Sequence, residues 1–137
     1  MNREILFKAK RKDNGEWVEG YYRADQDLDT HYICGWNYYA SENGLERESF
    51  EEEIDPDTIC QYTGITDKNG RKIWENDIVY TFEESSKSFL INVIKFEEGC
   101  FKVFAKCYLP MHLDNYTKSD FEVIGNIFDN PELLEVD

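Results

Sequence analysis

The chain has 137 residues, 41% hydrophobic and 15% aromatic, which is too apolar and too rich in rings for a disordered segment. It carries 29 Asp and Glu against 15 Lys and Arg, a net charge of −14, so it lacks the basic footprint of a protein that grips a phosphate backbone. Collagen-like, coiled-coil and multi-span membrane classes are also excluded, and the length fits one domain or two small ones.

In chain order, the first apolar run is only Ile5-Leu6-Phe7, far short of a signal-peptide core, and no later segment approaches a membrane span. A cytosolic protein with no membrane partner is expected. The dominant period is two. Ile5, Phe7 and Ala9 alternate with Leu6, Lys8 and Lys10; Asp13-Asn14-Gly15 interrupts; Trp17, Glu19, Tyr21 and Arg23 resume. Strand, turn and strand follow, because Asn and Gly accept the positive φ of a tight hairpin. Period-two strands then carry Tyr21, Tyr22, Tyr32, Trp36, Tyr38 and Tyr39, more rings than a small sheet readily buries. They are either core or a surface for self-association into a homo-oligomer.

Ser41-Glu42-Asn43-Gly44 is turn chemistry, and Asp55-Pro56-Asp57 breaks any element reaching it. The boundary is placed there, giving residues 1–56 as an N-terminal β-hairpin region and 57–137 as a C-terminal domain. Between the two breaks, Glu46, Glu48, Glu51, Glu52 and Glu53 read as an acidic loop or as one or two helical turns. Charge does not segregate: residues 1–62 hold 7 basic and 15 acidic residues, and 63–137 hold 8 and 14.

A second hairpin is read at Asp67-Lys68-Asn69-Gly70, running into Arg71–Trp74 and then Asp77–Phe82. A third joins Phe89–Phe96 to Phe101–Cys107 through Glu97-Glu98-Gly99, with Phe101, Val103, Ala105 and Cys107 on one face. Phe121–Phe128 reads as a last strand. Asn130 as cap and Pro131 at the first helical position predict a short helical turn through Leu134. The fold class expected is mainly β.

Catalytic signatures are sparse. Neither G-x-G-x-x-G nor G-x-x-x-x-G-K-[ST] occurs, and neither G-x-S-x-G nor H-E-x-x-H. Asp67-Lys68-Asn69-Gly70 opens like a calcium loop, but the sixth and twelfth positions hold Lys72 and Ile78, so a hairpin turn is the better account. Cys34, Cys60, Cys100 and Cys107 are scattered and are expected to be free thiols packed as small hydrophobes. With only His31 and His112 beside them, no closely spaced ligand set for zinc is present. Cys107 and His112, five residues apart across Pro110, are the one candidate thiolate–imidazole pair. No catalytic, cofactor-binding or metal residue is assigned.

Three stretches resemble the YopX family. They are Ile59–Gly70 continuing through Ile73–Val79, then Glu122–Leu134, and the opening Arg3–Ala9. The resemblance implies a phage or prophage origin, a host bacterial cytosol, and a small SH3-like barrel built from strands within 77–128. It implies no catalytic residues. Two positions depart from the family pattern: Asn76 stands where Gly is usual, and Lys10 where a Trp is often found. Asn is the next most tolerant residue of positive φ, so the turn at Asn76 is expected to survive.

The function expected is non-catalytic binding or assembly on a host or phage protein. One alternative is a small enzyme with a site assembled from scattered residues. The other is an acidic mimic of nucleic acid that occupies a basic site on a DNA- or RNA-binding protein. Candidate partner-binding residues are Glu46, Glu48, Glu51, Glu52, Glu53, Asp55 and Asp57, and direct nucleic-acid binding is not expected.

Overall fold

The computed structural model describes residues 5–83, 88–105, 111–112 and 121–134. The fold is mainly β, with two antiparallel sheets and single 3-10 turns at Pro56–Thr58 and Pro131–Leu134. Backbone contacts divide the chain into two units, residues 1–61 and 62–137. The division falls after the Pro56–Thr58 turn, five residues beyond the break expected at Pro56.

The first unit holds β1 (Phe7–Lys10), β2 (Trp17–Asp25), β3 (Thr30–Ser41) and β4 (Gly44–Glu53), in the order β4-β3-β2-β1. The first residues of β5 (Cys60–Thr66) pair with β1, Gln61 opposite Phe7 and Cys60 opposite Lys8. Alternation builds the core: Ala9, Ile33 and Ile54 are buried, with Phe7, Val18, Phe50 and Ile59 packed around them. Gly15 closes the β1–β2 turn at φ +73, as the Asn-Gly signal requires.

Gly20 is where β2 changes partner. Residues 17–20 pair with β1, whereas 21–25 pair with β3. A Cβ at Gly20 would lie 2.3 Å from the Cys34 carbonyl oxygen, so only hydrogen permits this approach. Opposite, the Phe50 ring lies over its cross-strand partner Gly35, where a Cβ would meet it at 2.8 Å. An aromatic ring thus covers the glycine backbone.

Residues 44–53 correct the sequence reading. They form strand β4, neither a loop nor a helical turn, paired with β3 from Ser41↔Gly44 to Tyr32↔Glu53. Glu is a poor strand former by itself. The tight turn at Glu42-Asn43 sets the register, and cations from β2 and the β1–β2 turn meet the carboxylates.

In the second unit, β5 from Tyr62 onward pairs with β6 (Lys72–Trp74). The five-stranded sheet contains β7 (Asp77–Glu83), β8 (Ser88–Glu97), β9 (Cys100–Ala105), β10 (Met111–His112) and β11 (Phe121–Asn126), in the order β10-β9-β8-β7-β11. Ile73, Val79, Ile94, Phe101, Val103, Phe121 and Val123 form its core. Among the described residues no ladder joins β10 to β11, so closure into a barrel is not part of the pairing seen. The β8–β9 turn takes positive φ at both Glu98 and Gly99, the geometry that matches hairpin twist. Of the face expected on β9, Phe101 and Val103 are buried, while Cys107 lies outside the described residues.

Asn130 stands at the start of the last turn, as expected, but its side chain bonds back to Asn126 and not into the turn. Its carbonyl oxygen accepts the Leu133 N–H at 3.1 Å, and its side-chain oxygen accepts the Asn126 N–H at 3.2 Å. No helix of the described residues is long and apolar enough to cross a membrane.

Candidate functional site

The acidic run does not form one anionic patch. Glu46, Glu48 and Glu52 share the Phe50 face of β4, and Glu51 and Glu53 take the other face. Among the described residues three of the five have ion-pair partners: Arg23 Nη2 lies 2.7 Å from Glu51, Arg11 Nη2 3.2 Å from Glu52, and Lys12 Nζ 3.4 Å from Glu53. Asp55 is occupied as a cap, its Oδ1 accepting the Asp57 N–H at 3.0 Å, and Asp57 lies in the turn it caps. Charge along an edge strand also discourages pairing with another sheet edge.

A second feature was not visible in the sequence. Because β2 leaves β3 at Gly20, a cleft of about 490 Å³ opens between the start of β2 and the β3–β4 ribbon. Val18 and Phe50 are its apolar lining residues, Trp17 and Trp36 border it, and Glu16, Glu19 and Glu52 are its acidic ones. Arg11 is its one cation among the lining residues. That guanidinium is held by Asp13, at 3.1 Å from Nε and 2.8 Å from Nη2, and by Glu52. Its hydrogen bond to Asp13 raises the Arg11 pKa and lowers that of Asp13.

The other face of this sheet carries rings in water. Tyr21, Trp36 and Tyr38 share it with Leu45, and Tyr21 and Tyr38 are 61% and 63% exposed. Cations of the chain stack on its rings: Arg47 stands 4.1 Å from the centre of Trp36, Arg23 4.4 Å from Tyr32, and Lys8 Nζ 4.6 Å from Trp17. Of the six rings in surplus, Tyr21, Tyr22, Trp36, Tyr38 and Tyr39 are exposed, and Tyr32 is half-buried. A smaller pocket of about 360 Å³ is lined by Tyr21 and Trp36 with Cys34, Ser49 and Glu51. Burial, then the Glu51 carboxylate 3.5 Å away, pushes the Cys34 thiol up, which makes it a weak nucleophile.

Other polar groups serve the backbone or water. Tyr22 Oη is hydrogen-bonded to His31 Nδ1, and His31 Nε2 lies 3.4 Å from Asp29. The Asp29 side chain is 96% exposed, so this chain ends in solvent and fixes the imidazole against β2. Cys60 is buried and donates to the Thr58 carbonyl. Among the described residues, no three His, Cys, Asp or Glu side chains converge as metal ligands. Cys107 falls outside the described residues, and of His112 the strand pairing with Lys102 is described.

A family model described as "YopX protein" matches residues 6–135. The chain belongs to the YopX family. It is also similar to the crystal structure of protein EF1440 from Enterococcus faecalis, at 25% identity and a TM-score of 0.63, covering 97% of this chain and 99% of that one. A comparison with curated proteins finds no match. In this YopX chain, the central and C-terminal blocks that carry the resemblance meet physically. The Asp67 carboxylate accepts the Val123 N–H, and the Lys68 N–H reaches the Phe121 carbonyl. Asn76 adopts φ +72, as the family's usual Gly would. Its N–H bonds the Ile94 carbonyl at 2.7 Å, and its carbonyl takes the Ile127 N–H at 3.0 Å. From Tyr62 onward those YopX blocks are therefore scaffold of the second unit, while the cleft belongs to the first.

Proposed function

We propose that this YopX-family chain is a phage- or prophage-encoded cytosolic binding module that acts on another protein without catalysis of its own. One observation carries the reading. Past Gly35, β3 has no strand neighbour on its β2 side among the described residues, and exposed rings flank that open edge. Water-exposed rings beside unpaired backbone suit a protein segment better than a small polar substrate. The second unit is then a small SH3-like barrel. Capture from host lysate by the parent and by Trp36→Ser and Tyr38→Ser variants tests this. One stoichiometric protein lost with either variant supports it. Turnover of nucleotides or esters by the parent, abolished by Cys107→Ala or His112→Ala, would replace it with the enzyme reading.

The exposed rings favour a second reading, in which a further copy of the chain covers Tyr21, Trp36 and Tyr38. Light scattering that shows a monomer at micromolar concentration removes it.

A further inference from the structure

We infer that the occupant of the cleft is an extended basic segment of a partner protein, added as a strand along the open edge of β3. This rests on reading the first unit as a docking module, and it names what is docked.

The backbone is oriented for it. Across the β3–β4 ladder the Ile54 N–H reaches the His31 carbonyl, while the Glu53 carbonyl turns outward to take the Lys12 N–H. In an antiparallel pair these directions alternate residue by residue. Counting back along the register, Asn37 and Tyr39 face β4, whereas Trp36, Tyr38 and Ala40 direct their N–H and C=O groups toward the β2 side. At Cys34 that side is filled by Tyr21 of β2. Beyond Gly20 it is the cleft. A strand laid there would satisfy backbone groups for which the described residues provide no strand neighbour, the physics of β-strand addition.

Charge selects the occupant. Glu16, Glu19 and Glu52 line the cleft against Arg11, which Asp13 and Glu52 already hold. Glu46 and Glu48 continue the same face of the ribbon as Asn37 and Tyr39. The opposite face presents Trp36, Tyr38 and Leu45, with Arg47 stacked on Trp36. A guest strand alternates its side chains in the same way, so Lys or Arg on one face and apolar residues on the other is the complementary pattern. A second copy of this chain inserting β4 would bring five glutamates against one arginine, three of them on a single face, and nucleic acid would bring phosphates. Both are repelled.

The test uses a labelled ten-residue peptide alternating Lys and Val, a peptide of the same composition with its Lys in one block, and a Glu-for-Lys peptide. Anisotropy with the full chain should show the alternating Lys peptide binding at least about tenfold tighter than either other, with affinity falling as salt rises. Tyr38→Pro removes one N–H on the cleft side and none of the β4 ladder, and should abolish binding. Glu46→Lys with Glu48→Lys spares the backbone and should weaken binding about tenfold or more. Equal binding of the block peptide would overturn strand addition. Equal binding of the Glu peptide would overturn the basic occupant yet leave a docking module standing. No binding of the alternating peptide overturns the inference, while capture of a partner through Trp36 and Tyr38 would still support the broader reading.

Discussion

Replacing Asp67 by Asn tests how the second unit is held. The Asp67 residue is 2% exposed, and its carboxylate accepts three backbone N–H groups at 2.9 Å, from Asn69 and Arg71 on Oδ1 and from Val123 on Oδ2. One side chain therefore closes the Asp67–Gly70 turn and pins it to β11. Asn keeps the Oδ1 acceptor but turns an amide NH2 toward the Val123 N–H, setting donor against donor. Val123 is buried, so its N–H has no water to turn to. An unsatisfied buried donor costs about 1–3 kcal/mol, and exchanging a charged acceptor for a neutral one weakens the two turn bonds, so a loss of about 2–4 kcal/mol is expected. The effect has a pH signature. Burial by itself would raise this carboxyl, but the N–H groups of Val123, Arg71 and Asn69, with the Arg71 charge, hold it below the ordinary 3.8. The folded state is then the stronger acid, so the contribution is complete above the unfolded value and is lost as pH falls through the folded one. Urea denaturation at neutral pH should show the full difference between parent and Asp67→Asn, and the gap should narrow in acid. A variant within about 0.5 kcal/mol of the parent at neutral pH would refute the reasoning.

Gly20→Ala places a Cβ 2.3 Å from a backbone carbonyl that cannot swing away, so the first unit should lose about 1–3 kcal/mol by denaturation. Buried Asn92 donates to Thr81 Oγ1 at 2.8 Å and to the Leu90 carbonyl at 3.2 Å, so Asn92→Leu should cost about 1–3 kcal/mol. Adding Thr81→Val should recover part of that loss, since the hydroxyl would no longer be stranded. Changing Glu51, Glu52 and Glu53 together to Gln removes exposed ion pairs with Arg23, Arg11 and Lys12, and the small drop in denaturation midpoint should shrink as salt is added. Glu51→Gln alone should speed alkylation of Cys34 at fixed pH, because one of the groups raising that thiol is gone.

The hairpins at Asp13-Asn14-Gly15 and Glu98-Gly99 were legible because the positive-φ requirement of a tight turn is local and written in residue type. Strand β4 was not. Its carboxylates argue against a strand until Arg23, Arg11 and Lys12 are seen to meet them, and those partners sit 28 to 41 residues away. The same distance in sequence hid Asp67, which reads as a turn former and also grips a strand 56 residues on. The surplus of rings on β2 and β3 was visible as arithmetic, but the cleft beside them was not. It exists because β2 exchanges β1 for β3, and the one local trace of that exchange is Gly20, a glycine set within an otherwise regular alternation.

Amide hydrogen exchange of the full chain, with and without the alternating Lys–Val peptide, tests the docking edge most directly. Protection should appear at Trp36, Tyr38 and Ala40, whose N–H groups face the β2 side of β3, and change little at Asn37 and Tyr39, which face β4. Protection confined to the second unit, or spread evenly over both residue sets, would contradict a docking edge on β3.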